Sequence, residues 1–376
     1  MTSELSSLCS YAKGKVSVDT LSKRNYVSTE NMVPNKGGIV DAGALPSAQY
    51  TQQYMKDDIL VSNIRPYFKK IWMADDDGGC SNDVLVFRAE CGCDSTFLYY
   101  VLANDAFFNY ASATSKGTKM PRGDKTAIMQ YEVPCFTHET QLRIGKLLRS
   151  IDDRITVNKK INDNLQQQAF SVFDNLIANA ENNDYTVSDY AFLNPKRTLA
   201  KNQVARSIDM SQLSTSGAFP SGWEMKPFNG GMRFTNGDTL LARITPCLEN
   251  GKTAFIDFLD DGEVAFGSTE YIVLAPKNDT PPEMLYCLAR YPAFVDYAVK
   301  NMNGSSGRQR VSAEIVEQYR LPLFDKHSLV LFKEVVSPMF LKMRYNSLEN
   351  MRLAELRDAL LPKLMSGEID VSAVQL

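Results

Sequence analysis

The stretch Phe97–Ala111, FLYYVLANDAFFNYA, occurs a second time in the chain as Met284–Ala298, MLYCLARYPAFVDYA. Six of the fifteen positions are identical without a gap. A second pair, Asp58–Pro66 (DILVSNIRP) and Asp238–Pro246 (DTLLARITP), repeats at a similar spacing. Internal repetition of this length indicates a duplicated structural unit and a pseudo-symmetric molecule. A molecule with two similar halves is suited to a target or partner that also has two halves.

Composition is that of a globular protein of two domains. The chain has 376 residues, with 44% hydrophobic and 23% charged residues, and the duplication divides it into two units of domain size. The first residues lack a basic region followed by an apolar run, and no stretch approaches the roughly 20 apolar residues that span a bilayer. We therefore expect a cytoplasmic protein without a membrane segment.

The charge is nearly balanced along the whole chain, with a net value of −3. Residues 1–136 carry 14 Lys and Arg against 15 Asp and Glu, and residues 181–324 carry 14 against 17. The stretches between and after them carry 6 against 5 and 7 against 7. A role with nucleic acid would therefore need local basic patches, or a partner that supplies most of the phosphate contacts.

Each copy repeats one order of elements: a β-rich block, a short helix, a Gly-containing polar loop, a brief strand ending at proline and a long helix. Short β-branched segments bounded by Asp, Gly or Pro predict strands over residues 59–64, 84–87, 239–244 and 271–274. Strands followed by helices within each repeat predict an α+β fold. The pattern gives five segments: a domain at 1–136, a long helix at 137–180, a second domain at 181–324, a second long helix at 325–368 and a tail at 369–376.

The two long helices carry the spacing of a coiled-coil seam, in which apolar residues alternate at intervals of four and three. This pattern predicts that the helices pair, in an antiparallel sense if they are related by the pseudo-two-fold. The second series contains one charged interruption, at Arg357. The seam positions are Ile144, Leu148, Ile151, Ile155, Asn158, Asn162, Leu165, Ala169, Val172 and Leu176, followed 188 residues later by Phe332, Val336, Met339, Met343, Asn346, Asn350, Leu353, Arg357, Leu360 and Leu364.

Asparagine occupies the midpoint of both seams. In an antiparallel pair Asn158 would lie near Asn350 and Asn162 near Asn346, so that the amides could hydrogen-bond between the helices. Polar residues in a seam reduce stability but fix register and orientation. The alternative is that these asparagines face solvent where the helices splay apart.

Helix boundaries are marked by capping and breaking residues. Thr137 and Asp325 are predicted N-caps, and Gly367 is a predicted stop. Pro338 and Pro362 should kink or interrupt the second helix. The first seam would form a rod of roughly 48 Å, at about 1.5 Å per residue. A rod of this order could hold two readers on one face of a duplex, where successive turns lie about 34–36 Å apart.

Catalytic and metal-binding motifs are missing from the sequence. Gly251-Lys252-Thr253 lacks the earlier glycine of a phosphate-binding loop, and no dinucleotide-binding, nucleophile-elbow or zinc-protease motif is present. The seven cysteines form no CxxC pair, Cys91-Gly-Cys93 alone cannot complete a tetrahedral site, and only two histidines are available. We therefore predict no catalytic residue, no metal ligand and no enzymatic activity in this chain.

Recognition is the function that remains, because Gly- and cation-rich loops occupy the same place in each copy. Such loops suit close approach to a phosphate backbone and reading of base edges by Arg or Gln. The alternative is that these are ordinary surface cations. The predicted DNA-binding residues are Lys116, Thr118, Lys119, Arg122 and Lys125 with Arg65, Lys69 and Lys70 in the first copy, and Ser305, Ser306, Arg308, Gln309 and Arg310 with Arg243 and Lys252 in the second.

Three segments resemble the specificity subunit of type I restriction-modification systems. They are Ser150–Ile155 leading to NKKIN at 158–162, the closing LRDALLPKLMSGEI at 356–369, and YVSTENMVPNKG at 26–37, which resembles the opening strand of that family's target-recognition domains. The resemblance covers essentially the whole chain. It implies two target-recognition domains, each a curved β-sheet with short helices, separated by an antiparallel two-helix coiled coil with pseudo-two-fold symmetry.

The resemblance also implies a function. Each domain would read one half of a split sequence in double-stranded DNA, while the coiled coil sets the spacing and docks two methyltransferase subunits. Restriction and translocase subunits could join that core. S-adenosylmethionine, ATP and Mg²⁺ are then expected only in partner subunits, with no cofactor in this chain. The alternatives are a two-domain protein-interaction scaffold that reads no DNA and, with the least support, a fused nuclease or methyltransferase.

Overall fold

A computed structural model of the chain describes residues 2–180, 184–305 and 307–371. The first copy contains β1 (Thr2–Glu4), β2 (Cys9–Tyr11), β3 (Lys15–Ser17), β4 (Tyr26–Val27), β5 (Tyr50–Tyr54), β6 (Ile59–Ser62), β7 (Ile71–Met73), β8 (Gly78–Cys80), β9 (Val84–Ala89), α1 (Ser95–Ala103), α2 (Asp105–Ala113), α3 (Lys125–Met129), β10 (Glu132–Pro134) and α4 (His138–Ala178).

The second copy repeats most of this order and has one additional short helix, α5. It contains β11 (Tyr185–Thr186), α5 (Val187–Tyr190), β12 (Ala191–Leu193), β13 (Val204–Ile208), β14 (Glu224–Pro227), β15 (Met232–Phe234), β16 (Thr239–Ala242), β17 (Thr253–Phe255), β18 (Ala265–Gly267), β19 (Tyr271–Pro276), α6 (Pro282–Arg290), α7 (Pro292–Lys300), α8 (Ala313–Glu317), β20 (Arg320–Leu321) and α9 (Lys326–Ser366).

The chain divides into two compact units. Unit 1 comprises Met1–Asp153 and Ala354–Leu376, and unit 2 comprises Arg154–Leu353. Each unit therefore contains one β block together with part of α4 and part of α9. The mixed α and β content confirms the predicted fold class, and each predicted strand segment contains an observed strand.

Unit 1 is built on an antiparallel sheet of order β2-β9-β6-β7, in which Ile59 lies opposite Phe87. Helix α1 packs on this sheet, and the rings of Phe97 and Phe107 are fully buried between helix and strands. A second sheet, of order β3-β5-β8-β4, contains one parallel pair, β4 with β8. The consecutive buried residues of the central strands β6 and β9 thus provide the core that holds the connecting loops in place.

Unit 2 has the corresponding first sheet, of order β12-β19-β16-β17, with Thr239 opposite Leu274. Its helix α6 is buried along almost its whole length, from Glu283 to Ala289. The second sheet differs in order, β14-β13-β18-β15, but also contains one parallel pair, β13 with β18. The first sheet, on which the helix of the repeated sequence packs, is therefore common to both units. The second sheet differs between them.

Both long helices begin and end at the expected residues. Thr140 donates its backbone N–H to the Thr137 hydroxyl, and Ser328 donates to the Asp325 carboxylate. Helix α9 ends at Ser366, before Gly367 with φ at 75°. Of the two effects predicted for Pro338 and Pro362, a kink or an interruption, interruption was wrong, because α9 continues through both residues. Each proline removes only one backbone donor, and the buried residues on both sides, Val336 and Leu361 among them, hold the helix together.

The two long helices run antiparallel in unit 2. In unit 2, Asn158 bonds to Asn350 while Asn162 bonds to Asn346, so the chain directions are opposite. In unit 1, Arg357 of α9 binds Asp152 of α4.

Among the described residues, no helix is both long enough and apolar enough to cross a membrane.

Candidate nucleic-acid interface

A short hairpin projects beside the end of strand β6 in unit 1. Lys116 and Arg122 exchange both backbone hydrogen bonds at 2.9 Å, and Arg122 also forms a bridge with Ile64. The N–H of Arg65 donates to the carbonyl of Pro121 at 2.8 Å. The predicted loop 116–125 is therefore fixed at its base beside the end of β6, in the first sheet of unit 1.

Unit 2 has the same construction. Asn303 and Arg310 exchange both backbone hydrogen bonds at 2.9 Å, Arg310 bridges to Ile244, and the N–H of Thr245 donates to the carbonyl of Gln309 at 3.0 Å. Arg122 and Arg310 are thus equivalent residues. The repeat therefore extends from the sheet to the projecting hairpins.

An acidic residue holds the equivalent arginine in each unit. Asp83, just before β9, forms an ion pair with Arg122 at 3.2 Å, and Glu270, just before β19, forms one with Arg310 at 2.8 Å. The hydrogen bonds from Arg310 lower the pKa of the Glu270 carboxyl below its usual value. Glu270 also lies 3.6 Å from the Nε of Arg243. The two arginines are oriented by carboxylates and retain further N–H groups, because one guanidinium carries five donors.

Other predicted site residues are engaged within the protein. Lys69 binds Asp105, and Lys116 binds Asp124. Lys70 and Lys252 donate to backbone carbonyls. The amino group of Lys70 donates to the carbonyl of Thr29 at 2.6 Å, and that of Lys252 to the carbonyl of Met210 at 2.7 Å. These cations connect loops to one another as well as presenting positive charge.

Further predicted residues on and near the hairpins are exposed to solvent. Lys119 and Arg308 are exposed, and no ion pair joins either of them to another described residue. Thr118, Lys125 and Ser305 are also exposed, and Gln309 is half-buried. The predicted contact at Ser306 lies outside the described residues.

Sequence reasoning missed several residues of this surface. Asp83 and Glu270 both immediately precede a predicted strand of the repeat, and their common position was a signal that could have revealed them. It also missed Tyr67 and Phe68, which are exposed beside the first hairpin. Adjacent exposed aromatic residues cannot be told from core residues by sequence alone.

Potential metal ligands do not cluster in the described part of the chain, and three of its cysteines are held as thiols. It contains no group of three or more His, Cys, Asp or Glu side chains that could hold a metal ion. Burial raises the pKa of the Cys9, Cys80 and Cys93 thiols to about 12. These thiols therefore remain protonated near neutral pH.

Comparisons with known proteins agree with this architecture. Residues 1–167 match the family model for the type I restriction modification DNA specificity domain. The chain is 23% identical to the type I restriction enzyme HindI specificity subunit of Haemophilus influenzae, covering 92% of this chain and 94% of the relative. It is 22% identical to the MjaIX specificity subunit of Methanocaldococcus jannaschii, covering 74% and 70%.

A solved structure shows the same fold. The type I restriction-modification S subunit from M. genitalium superimposes with a TM-score of 0.59 at 18% identity, covering 97% of this chain and 96% of that chain. This likeness shows the fold of the chain. In sequence, the chain is similar to specificity subunits of type I restriction-modification systems, by the family model over residues 1–167 and by these relatives over most of its length.

Proposed function

We propose that each unit reads one half of a bipartite DNA sequence. The observation that carries this proposal is the recurrence of one arginine, Arg122 in unit 1 and Arg310 in unit 2, on equivalent hairpins with an equivalent acidic partner. An arginine whose direction is fixed loses less side-chain freedom on binding. Its planar fork matches the two acceptors of guanine in the major groove.

Phosphate contacts would surround these arginines. Lys119 in unit 1 and Arg308 in unit 2 are exposed on the same hairpins. These exposed cations are few, and the chain as a whole carries a net negative charge of −3. Electrostatic attraction supplies much of the affinity of proteins for DNA. The partner subunits would therefore provide a large share of the positive surface.

The long helices would dock two copies of one methyltransferase subunit and set the spacing between the half-sites. Exposed apolar residues recur at the repeat distance of 188: Leu142 with Val330, and Val157 with Tyr345. Their exposed fractions lie between 44% and 57%. Large apolar side chains kept in water on both helices at equivalent positions fit two identical partners. S-adenosylmethionine, ATP and Mg²⁺ would belong to those partners and not to this chain.

The competing function is a protein-interaction scaffold whose units read no DNA. Charge reversal separates the two: Arg122→Glu in unit 1, and Arg308→Glu with Arg310→Glu in unit 2, each co-expressed with the cognate methyltransferase. We expect genomic adenine methylation to fall at least tenfold in each variant, because charge-assisted contacts to bases are lost.

Matched controls reverse exposed cations outside the hairpins, Lys13→Glu in unit 1 and Lys201→Glu in unit 2. These should leave methylation within twofold of the unmodified protein. Unaltered methylation in the hairpin variants, with intact assembly, would exclude the DNA-reading function and favour the scaffold.

A further inference from the structure

The loop Arg65–Lys70 of unit 1, with the sequence RPYFKK, presents two aromatic rings to solvent. One 3₁₀ turn, Pro66–Phe68, leaves Tyr67 52% exposed and Phe68 38% exposed. The ring centroids lie 4.9 Å apart, so the two rings form one apolar patch. We call residues 65–70 the basic aromatic loop.

An unusual backbone conformation holds this loop. Arg65 and Lys69 have φ values of 50° and 51°, in the left-handed region. The neighbouring Asn35 and Lys36, with φ of 56° and 62°, donate their N–H groups to Phe68 and Lys69 at 2.9 and 2.8 Å. Residues other than glycine rarely adopt this conformation, and such residues cluster at binding sites. The hydrogen bonds around the loop therefore hold the rings of Tyr67 and Phe68 towards solvent, although the left-handed backbone conformation is of higher energy.

The fold itself does not require the aromatic residues. The equivalent connection of unit 2, residues 245–250 with the sequence TPCLEN, joins the same two strands of the common sheet. It has no aromatic residue, Leu248 is 1% exposed, and Glu249 stands where unit 1 has Lys69. The ring pair and the positive charge are thus specific to unit 1, which points to a function in binding.

The charges around the loop favour a polyanion as the ligand. Arg65, Lys69, Lys70 and Lys36 lie on or beside it, against two acidic residues, Asp105 and Glu30. The Nε of Arg65 is buried and has no hydrogen-bond partner among the described residues. The hydrogen bond from Arg65 to Pro121 places the loop directly against the hairpin that carries Arg122. A duplex that contacts this hairpin would also contact the loop.

We propose that the basic aromatic loop is a second DNA-contact element of unit 1, an inference that rests on the proposed function. Tyr67 and Phe68 pack against deoxyribose and base edges, and Arg65 and Lys69 bind the flanking phosphates. Proteins use apolar wedges and ring contacts of this kind to grip or bend DNA. The half-site read by unit 1 thus gains an apolar contact that the half-site read by unit 2 lacks.

The first test measures DNA binding by the assembled methyltransferase complex containing Tyr67→Ala with Phe68→Ala. We expect at least roughly tenfold weaker binding to the cognate duplex, since loss of even one aromatic contact typically has this effect and the variant removes two rings. The dependence of affinity on salt should be unchanged, because no cation is removed. Phe192→Ala, which removes a 55% exposed ring from unit 2, is the matched control and should bind normally.

A second measurement does not depend on the stability of that variant. Tyr67 is replaced by photoreactive p-benzoylphenylalanine, and the irradiated complex is analysed for the crosslinked partner. We expect a crosslink to DNA within one half-site only, and none from the same replacement at Phe192. A crosslink to the methyltransferase alone, or alanine variants of intact assembly that bind within twofold of normal, would overturn the proposal. If the unmodified complex shows no sequence-specific binding, the proposed function itself fails.

Discussion

Arg310 donates hydrogen bonds to the carboxylate of Glu270 through two of its nitrogens. Its Nε lies 2.9 and 3.0 Å from the two carboxylate oxygens, and its Nη2 lies 2.8 Å from one of them. Arg243 lies 3.6 Å from the same carboxylate. One acidic residue therefore restrains two cations of the proposed DNA surface. Because Glu270 holds these two cations, they attract DNA phosphates less and keep a fixed geometry for contacts to bases.

Replacement of Glu270 should lower the sequence specificity of DNA binding and raise the affinity for DNA of any sequence. We expect Glu270→Gln to strengthen binding to non-cognate DNA several-fold and to steepen the logarithmic salt dependence by about one unit, because a cation becomes available to phosphate. Fluorescence anisotropy at several salt concentrations measures both. Asp296→Asn, which removes an exposed acid paired with Lys300, controls for the change in net charge. Identical salt slopes for the two variants would contradict the restraint.

The central asparagines should act as a pair. Asn346, which is 1% exposed, donates to Asn162 at 2.8 Å. Asn346→Leu leaves the Asn162 carbonyl without this donor and should lower the free energy of unfolding by about 1–2 kcal/mol. Asn162→Leu combined with Asn346→Leu should recover most of that loss, because both polar groups are gone. Urea unfolding followed by circular dichroism measures both, and equal losses in single and double variants would show that the pair is not coupled.

The charged interruption of the seam is neutralised within unit 1. Asp152 accepts hydrogen bonds from the Tyr100 hydroxyl at 2.6 Å and from Arg357 at 2.7 Å. Arg357→Leu removes the cation beside this carboxylate and should lower stability by about 1–2 kcal/mol, less than for a fully buried pair. Arg149→Leu, which removes an exposed ion pair with Asp153 on α4, should change stability by less than about 0.5 kcal/mol. A reversed order of the two effects in urea unfolding would refute this role.

Asp238 should make the stability of unit 2 depend on pH. Burial raises the pKa of this carboxyl to about 6, although Arg197 and the Thr235 N–H favour its charged form. The folded pKa lies above the unfolded value near 3.9, so folding takes up a proton between these values. The stabilising contribution of the protonated carboxyl is therefore complete below about pH 4 and is lost as pH rises through 6.

The comparison with Asp238→Asn isolates this effect. The difference in unfolding free energy, unmodified protein minus variant, should decrease from pH 4.5 to pH 6.5 and then stay constant. The expected size is about 1.4 kcal/mol for each unit by which the pKa is raised. A difference that stays constant or grows across this interval would contradict the raised pKa.

Local patterns in the sequence predicted much of the fold. The seam spacing, the caps at Thr137 and Asp325 and the stop at Gly367 depend on neighbouring residues, and the long helices begin and end close to them. The strands of the common sheet were predictable for the same reason. The order of the second sheet was not, because strand pairing between distant segments leaves no local signal.

The candidate site was predictable only in outline. The repeated Gly- and cation-rich loops marked both hairpins, but the acids that hold Arg122 and Arg310 lie about 40 residues away in the chain. Whether a lysine faces solvent or donates to a carbonyl, as Lys70 does to Thr29, depends on tertiary packing. Tyr67 and Phe68 resembled core residues until their exposure was known.

The most direct test of the central claim is the methylome of a strain that expresses this chain together with its cognate methyltransferase. We predict adenine methylation at one bipartite sequence, two short specific parts separated by a spacer of fixed length. The methyltransferase expressed alone should give no such methylation. Methylation that is absent with both proteins present, or the same with and without this chain, would contradict the account.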